Sequence, residues 1–319
     1  MSFPNVSDII ATTIQSRTRK IADNVTDNNG LLKALSLAGN IKTFSGGNQI
    51  YQELSFAEND NGGFYSGYDL LPVQASDVIT AAEFDIKQAA VPVVISGLEQ
   101  LQNSGKEALI DLMGARMKVA EATMANIVST ALYSDGTGTG GKEITGLDAA
   151  VPVDPSTGTY GGINRATWTF WRSKVTSGTY TSSNIQAAMN GAYAELVRGT
   201  DRPNLIIMDD VMWEMYVASL QAQQRFHQAE IGDLGFPTIK FMGTDVILDG
   251  GIGGAATTKT MYFLNTNYIH YRPHAGRNMV PLSPNRRYSV NQDAEVQILA
   301  WAGNLTSSGA QFQGRLIDD

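Results

Sequence analysis

Cysteine is absent from this sequence of 319 residues, and histidine occurs only three times. The lack of cysteine excludes disulfide bonds and thiolate metal sites. No stretch approaches the ~18 consecutive apolar residues that a membrane-spanning helix requires, and the N-terminal residues lack the apolar run of a signal peptide. We therefore expect no membrane partner.

Positive charge is also scarce. Lys and Arg number 23 against 31 Asp and Glu, which gives a formal net charge of −8 at pH 7. Tight nucleic-acid binding depends on neutralising phosphates, so this balance argues against a dedicated DNA- or RNA-binding protein. The hydrophobic content of 43% is sufficient for a core, and the length allows about two domains of ~100–200 residues.

Signatures of metal binding and catalysis are few. His227 stands apart, and Pro273 prevents His270 and His274 from sharing a regular helix face. No H-E-x-x-H metal motif and no G-x-S-x-G hydrolase motif occur. We predict no catalytic residue, no metal ligand and no cofactor.

The segment Gly136–Lys142 matches the G-x-x-x-x-G-K pattern of a phosphate-binding loop. Such a loop needs a strand before it, a helix after it and Ser or Thr after the Lys. Here a predicted helix precedes the segment and Glu143, which would repel phosphate, follows the Lys. A helix-ending loop is favoured, and a two-domain nucleotide-dependent enzyme that uses this loop is the alternative from a different class.

Two further clusters have ordinary structural interpretations. Asp209-Asp210 could act as paired carboxylates, but it lies between a predicted buried strand and a predicted helix, where a helix cap is favoured. Trp168, Phe170 and Trp171 could stack on bases or sugars. Because no excess of Lys or Arg accompanies them, core packing is favoured.

The first part of the chain alternates between short elements and turns. Residues 1–45 form an arm too short for a core of its own, with two short helices predicted, the first carrying Ile9, Ile10, Ile14 and Ile21. Gln49–Ala57 alternates like a strand, and Asn59–Gly63 is a turn cluster that predicts a hairpin tip. A return limb follows, with Tyr65, Tyr68, Leu70 and Leu71. An isolated hairpin is marginal in water, so we expect other copies of the chain to cover it.

A long helix follows this hairpin. Residues 83–98 predict a strand in which Pro92 marks an edge or a bend. Ser104–Glu107 is a capping box that starts a helix extending to about Tyr133. Its predicted inward face comprises Leu109, Leu112, Met113, Ala120, Met124, Ile127 and Ala131.

The remainder mixes helices with short strands. A second capping box at Ser183–Gln186 predicts a helix closed by Gly199, and residues 204–208 predict a buried strand. Short strands are predicted after Gln228, and two long strands, Ala294–Trp301 and Gln311–Ile317, end the chain. The predicted fold class is α+β.

Charge is distributed unevenly along the chain. Residues 46–82 hold five acids and no base, whereas residues 250–292 hold five bases and no acid. This pattern is either ordinary solvated surface or a pair of complementary patches that meet between copies of the chain. The acids are Glu53, Glu58, Asp60, Asp69 and Asp77, and the bases are Lys259, Arg272, Arg277, Arg286 and Arg287.

The order of these parts resembles the major capsid proteins of tailed double-stranded-DNA bacteriophages, which share the Hong Kong 97-like capsid fold. The segment Gly141-Lys-Glu-Ile-Thr-Gly-Leu147 after the long helix is also similar to that family. The resemblance implies the following parts: an N-arm, 1–45; an extended E-loop hairpin, 46–82; a peripheral P domain, 83–165 plus 286–319, with a spine helix at about 104–133; and an axial A domain, 166–285.

The resemblance also implies a function and partners. The chain would self-assemble into hexamers and pentamers of an icosahedral shell in the virion, built in the host cytoplasm around weakly contacted DNA. A portal and scaffolding or decoration proteins would be its other partners. Intersubunit contacts would involve Glu53, Glu58, Asp60, Asp69, Arg272, Arg277, Arg286 and Arg287, and an axis-lining loop would contain Gly250, Gly251, Gly253 and Gly254.

Two departures from the family pattern affect these expectations. No lysine lies between Lys42 and Lys87, so the E-loop lysine that some members use for cross-linking is missing. The arm begins almost at Met1, so scaffolding is expected to be separate or unnecessary. An encapsulin-like compartment that encloses protein cargo is the alternative within the same fold.

Overall fold

The computed structural model describes residues 29–71, 73–102, 106–220, 238–250, 254–282, 287–288 and 293–319. It describes their side chains except in 100–102, 106–115 and 287–288. The predicted helix with Ile9, Ile10, Ile14 and Ile21 and the capping box at Ser104–Glu107 lie wholly or partly outside these residues. So do Arg286, Gly251 and Gly253 and, as side chains, Arg287, Leu109, Leu112 and Met113.

The described elements mix helices and strands, as the predicted α+β class requires. The helices are α1 (Gly30–Leu37), α2 (Gly97–Gln102), α3 (Lys106–Ala131), α4 (Ile185–Leu196) and α5 (Asp210–Ser219), with single helical turns at Gly138–Gly141 and Leu147–Ala150. The strands before residue 200 are β1 (Gln49–Ser55), β2 (Ile79–Asp85), β3 (Lys87–Ser96), β4 (Thr159–Tyr160), β5 (Ile163–Asn164) and β6 (Lys174–Gly178). The later strands are β7 (Leu205–Met208), β8 (Thr238–Phe241), β9 (Thr244–Leu248), β10 (Thr260–Leu264), β11 (Ile269–Pro273), β12 (Val280–Pro281), β13 (Arg287–Tyr288), β14 (Ala294–Ser307) and β15 (Gly314–Asp318).

A mixed six-stranded sheet forms one half of the core, in the order β6-β15-β10-β7-β9-β8. Successive side chains of a strand point to opposite faces, so Ile206 and Met208 of β7 contact the cluster formed with α4 and α5. Leu205 and Ile207 contact the other cluster, which contains α1 and the C-terminal part of α3. The sheet is therefore covered on both faces.

The second large sheet is organised by β14, which has 14 residues. Strand β3 pairs along one side of it, and β11, β12 and β13 pair with successive parts of the other side. Pro92 lies opposite Ile298 within β3. Proline donates no ladder hydrogen bond, and β3 pairs only with β14 among the described strands, so the predicted edge position is confirmed.

Helix α3 ends two residues earlier than predicted, and its buried face agrees with the predicted one at Ala120 and Met124 but not at Ile127. Its 26 residues span ~39 Å at 1.5 Å per residue. The buried seam consists of Met117, Ala120, Met124 and Val128, which have the i, i+3, i+4 spacing of one helix face. The predicted inward position of Ile127 is wrong, because 41% of this residue is exposed.

One of the two predicted helix caps within the described residues is confirmed and the other is wrong. Asp209 caps α5 as expected, since its side chain accepts a hydrogen bond from the Met212 backbone N–H at 3.0 Å. The predicted capping box at Ser183 is wrong. Asn184 occupies the N-cap of α4 without a side-chain bond into the helix, because its Oδ1 accepts from the Thr181 N–H at 2.7 Å.

The C-terminal strand and β11 differ from the predicted elements and segments. Residues 311–312 lie in a 3₁₀ turn, so the predicted long strand from Gln311 is wrong and only β15 forms there. Strand β15 lies in the six-stranded sheet, although residues 286–319 were assigned to the P domain. Strand β11 belongs to the β14 sheet, although residues 166–285 were assigned to the A domain. The domain division as a whole stays a prediction.

Candidate assembly surfaces

The hairpin of β1 and β2 is anchored to its own chain at its base. The two strands pair antiparallel from Gln49 opposite Asp85 to Ser55 opposite Ile79. One face of the hairpin is buried against Tyr160 and Trp171, and the buried hairpin residues are Ile50, Leu54, Ala82 and Phe84. The predicted alternation of this strand is therefore confirmed.

A turn at Gly161 lets the segment between β4 and β5 approach the hairpin closely. The Glu83 N–H donates to the Gly161 carbonyl oxygen at 2.9 Å. Gly161 has a φ of +55°, and a Cβ there would lie 2.9 Å from the Ala82 Cβ and from the Phe84 ring. Only glycine fits this left-handed, tightly packed position.

The residues between the two strands, 56–78, are named the hairpin loop. The return strand begins only at Ile79, so the prediction that Tyr65 to Leu71 form the return limb is wrong. An exposed large apolar side chain is unremarkable alone, whereas a contiguous set marks an interaction surface. Large side chains that are more than half exposed in this loop are Phe64, Tyr65, Tyr68, Leu70, Leu71 and Val73.

The predicted acidic side chains lie on or near this loop and face solvent. Glu53, Glu58, Asp60 and Asp69 are all exposed. Asp69 accepts the Ser66 N–H at 2.9 Å, which is a local turn contact. None of the four forms an ion pair with a base in the described part of the chain. Among the described residues, their negative charges therefore have no base paired with them.

The two predicted arginines whose side chains are described, Arg272 and Arg277, lie on or just after β11 and form no ion pair with the four acids. Arg272 is on β11 and half-buried, and Arg277 is exposed, with its Nη1 3.2 Å from the Gln88 Oε1. Burial, then the charges of Lys42 and Arg272, lowers the pKa of the adjacent His270 to about 4. In the part of the chain whose side chains are described, the acidic and basic residues therefore form no ion pair with each other.

The described ends of the predicted glycine loop are held against the body. A Cβ on Gly250 would lie 2.4 Å from the Asp210 backbone nitrogen, so the chain passes directly over the start of α5. Asp249 accepts a hydrogen bond from the Tyr133 hydroxyl, just after α3. Gly254 in turn packs on Gly250. This base is rigidly packed, and its role at a symmetry axis stays a prediction.

The Gly136–Lys142 segment is filled by its own chain. The Glu143 carboxylate accepts from the Ser134 hydroxyl at 2.8 Å and from the Thr139 hydroxyl at 3.0 Å. A Cβ on Gly138 would lie 2.4 Å from that carboxylate. Lys87 donates to the Gly141 carbonyl oxygen at 2.7 Å. A carboxylate thus occupies the concavity in which a phosphate would have to sit.

The aromatic cluster packs as predicted, with one exposed member. Trp171 is fully buried, and Phe170 lies between it and Phe56 of the hairpin loop. Trp168 is 47% exposed and makes an edge contact with Phe56. The cluster fixes the start of the hairpin loop to the body.

Part of the predicted arm is packed on its own chain. Helix α1 contributes Leu31, Leu32 and Leu35 to the larger core cluster. The segment after it runs beside β11, where the Lys42 N–H donates to the Tyr271 carbonyl oxygen at 3.0 Å. The described residues of the arm therefore do not form a core of their own but are covered by the core of the same chain.

No combination of three or more His, Asp or Glu side chains in the described ranges is arranged to hold a metal ion. None of the described helices is both long enough and apolar enough to cross a membrane.

The sequence matches no protein-family model and no curated protein. The structure is similar to the solved "Cyanophage A-1(L) capsid asymmetric unit" with a TM-score of 0.63, 16% identity and coverage of 91% of each chain. It is similar to the "Capsid of native GTA particle" with a TM-score of 0.59, 12% identity and coverage of 89% of each chain. A third likeness, to "The capsid of Myoviridae Phage XM1", has a TM-score of 0.53 and 12% identity and covers 89% of this chain and 91% of that one.

These likenesses extend over most of each chain, so they concern the whole architecture rather than one motif. The protein has the Hong Kong 97-like capsid fold that its order of parts predicted.

Proposed function

We propose that this chain is a major capsid protein, many copies of which form an icosahedral shell enclosing double-stranded phage DNA. The main observation behind this proposal is that the large apolar side chains of the hairpin loop are exposed to solvent in a single copy. Tyr68 and Leu70 are as exposed as in an extended chain, at 106% and 97%. Burial of such surface is the main driving force of association. The capsid fold supports this role.

The proposed role is structural and non-enzymatic. Hexamers and pentamers would form the shell. Each copy would make several weak contacts, which together give high avidity, while a wrongly placed copy that makes fewer of them can dissociate. The net charge of −8 suits a shell that contacts its DNA weakly. The portal, scaffolding or decoration proteins and assembly in the host cytoplasm belong to this proposal.

We further propose that the two charged patches meet across subunits. Glu53, Glu58, Asp60 and Asp69 of one copy would contact Arg272, Arg277, Arg286 and Arg287 of another. The exposure of the acids and the lack of an ion-pair partner for them among the described residues support this contact. Opposite charges fix register and speed encounter more than they add affinity. The loop of Gly250, Gly251, Gly253 and Gly254 would line the symmetry axes.

The proposal is tested by expressing the full chain and imaging it by negative-stain electron microscopy. We expect polyhedral shells or rings of capsomers. Particles from infected cells should contain DNA, whereas packaged enzyme would identify the encapsulin-like alternative. A chain that stays a stable monomer at high concentration would overturn the proposal.

A paired variant tests the hairpin loop directly. We expect Tyr68→Ser with Leu70→Ser to abolish particles while leaving the thermal unfolding of the unassembled chain unchanged, because these side chains are fully exposed in it. Val153→Ser is the matched control, since Val153 is also exposed, at 64%, but lies outside the loop. Normal particles from the double variant would count against the loop as the contact surface.

A further inference from the structure

The chain contains three Asn-Gly dipeptides, at Asn29, Asn61 and Asn190. This pair is chemically unstable because glycine has no side chain to hinder attack of its backbone nitrogen on the asparagine carboxamide. Asparagine is among the thermolabile residues for this reason. The three dipeptides lie in three different backbone settings, so their rates of this reaction should differ in the folded chain.

Two of the three are protected by the fold. Asn29 is 4% exposed, and its Oδ1 accepts the Leu32 N–H at 3.0 Å as the N-cap of α1. Asn190 is exposed but lies inside α4, where ring closure would have to break helical hydrogen bonds. Asn29 is thus protected by its burial and its capping hydrogen bond, and Asn190 is protected by the regular helix around it.

Asn61 has neither protection. It lies in the hairpin loop, followed by the exposed Gly62 and Gly63, and no neighbour lies within 4 Å of a Cβ placed on Gly63. The Asn61 Nδ2 donates to the Gln74 carbonyl oxygen at 2.6 Å and the Asn61 N–H donates to the Asn59 Oδ1 at 3.0 Å, both exposed to solvent. The Gly62 N–H donates to the Asn59 carbonyl oxygen at 3.0 Å, and this turn contact has to open before the Gly62 nitrogen can attack. Solvent-exposed bonds of this kind in a loop open easily.

We propose that Asn61 is a site of spontaneous deamidation. The Gly62 backbone nitrogen attacks the Asn61 Cγ, the new C–N bond closes a succinimide ring, and the Cγ–Nδ2 bond breaks to release ammonia. The proton lost from the Gly62 nitrogen leaves with the ammonia. Water then opens the ring at either carbonyl, leaving aspartate or isoaspartate at position 61.

The consequence is a change of charge on a segment that is already acidic. Residues 46–82 contain five acids and no base, and each conversion adds one more negative charge. Isoaspartate also inserts an extra backbone carbon at the turn. The modification thus alters the same loop that the proposed shell contacts use, but its chemistry does not depend on assembly.

The test incubates the purified full chain at mildly alkaline pH and follows the three peptides by mass spectrometry. We expect the Asn61 peptide to convert about tenfold or more faster than the other two, because local opening there costs least. In denaturant, where the fold no longer protects Asn29 and Asn190, the three rates should converge.

Gly62→Ala provides the matched variant. Its added Cβ would lie 3.3 Å from the Asn59 carbonyl oxygen, so the exposed turn has to shift by a few tenths of an ångström to accept it. We expect it to slow conversion at Asn61 by about an order of magnitude, since a side chain hinders the attacking nitrogen and restricts the backbone. Equal conversion at the three sites in the folded chain, or no slowing by Gly62→Ala, would overturn the proposal.

Discussion

Arg315 and Asp148 form an ion pair across 167 residues of sequence, with the Arg315 Nη1 2.8 Å from the Asp148 Oδ1. The arginine side chain is 4% exposed. The Tyr262 hydroxyl donates to the same carboxylate oxygen, and the Thr257 hydroxyl donates to the other at 3.0 Å. This network joins the helical turn at Leu147–Ala150 to β10 and β15, so it connects the region after α3 to the six-stranded sheet.

We predict that Asp148→Ala destabilises the unassembled chain by about 2 kcal/mol or more, because it leaves a buried guanidinium without its counter-charge. Urea unfolding measures this change. Asp154→Ala is the control, since Asp154 is exposed and its side-chain hydrogen bonds lie within a local turn with Ser156 and Thr157. Surface changes of that kind stay within about 0.5 kcal/mol. Equal losses for the two variants would show that the network does not stabilise the fold.

The seam of α3 gives a second prediction. Met124 is fully buried and Ile127 is 41% exposed, so Met124→Ala should destabilise the chain by about 2–5 kcal/mol through the cavity it leaves. Ile127→Ala should have a clearly smaller effect in the same unfolding experiment. A loss for Ile127→Ala as large as that for Met124→Ala would instead support the inward position that periodicity predicts for Ile127.

His270 gives a pH dependence. In the folded chain burial, Lys42 and Arg272 hold the pKa of His270 at about 4, below its ordinary value of 6.5. As pH falls from 6.5 towards 4 the unfolded chain gains this proton and the folded chain does not. Stability should therefore decrease, by at most about 1.4 kcal/mol per pH unit from this group.

The measurement is unfolding free energy against pH for the chain, His270→Gln and His274→Gln. We expect the first variant to flatten the decline below pH 6.5 and the second, on the same sheet edge, to leave it unchanged. An unaltered slope in His270→Gln would assign the acid sensitivity to other groups.

The charged patches give a prediction about assembly. Reversing Glu53, Glu58 and Asp60 to Lys should reduce particle yield and heat stability, because like charges would face the arginines of a neighbouring copy. The control reverses Asp154, an exposed acid outside the hairpin. Raising the salt concentration should narrow the difference, since exposed charges are screened. Particles of normal yield and stability from the triple variant would exclude this contact.

Local patterns predicted the features that depend on neighbouring residues. The alternation of Ile50 and Leu54 predicted a half-buried strand, and Asp209 before an apolar run predicted a cap, because the physics of each operates within a few residues. Periodicity alone does not decide which of two adjacent residues of α3 faces the core. Ile127 and Val128 both fit an apolar stripe, and only the position of α1 and the sheet selects Val128 for the core.

The predicted position of the return strand of the hairpin is wrong for a related reason. Tyr65, Tyr68, Leu70 and Leu71 are large apolar or aromatic side chains, but strand pairing requires a partner in register, and β1 finds that partner at Ile79–Asp85. The apolar loop residues are not core in one copy, and periodicity alone cannot separate a core surface from a contact surface.

The sequence by itself determined the long helix, the first strand of the acidic hairpin and the lack of disulfides and thiolate sites, because composition and short-range periodicity carry that information. Only the tertiary structure decided that β15 joins the six-stranded sheet, that Arg315 pairs with Asp148 and that the hairpin loop stays uncovered. Those features depend on contacts between residues far apart in the chain, and such contacts are set by how the packed surfaces fit together.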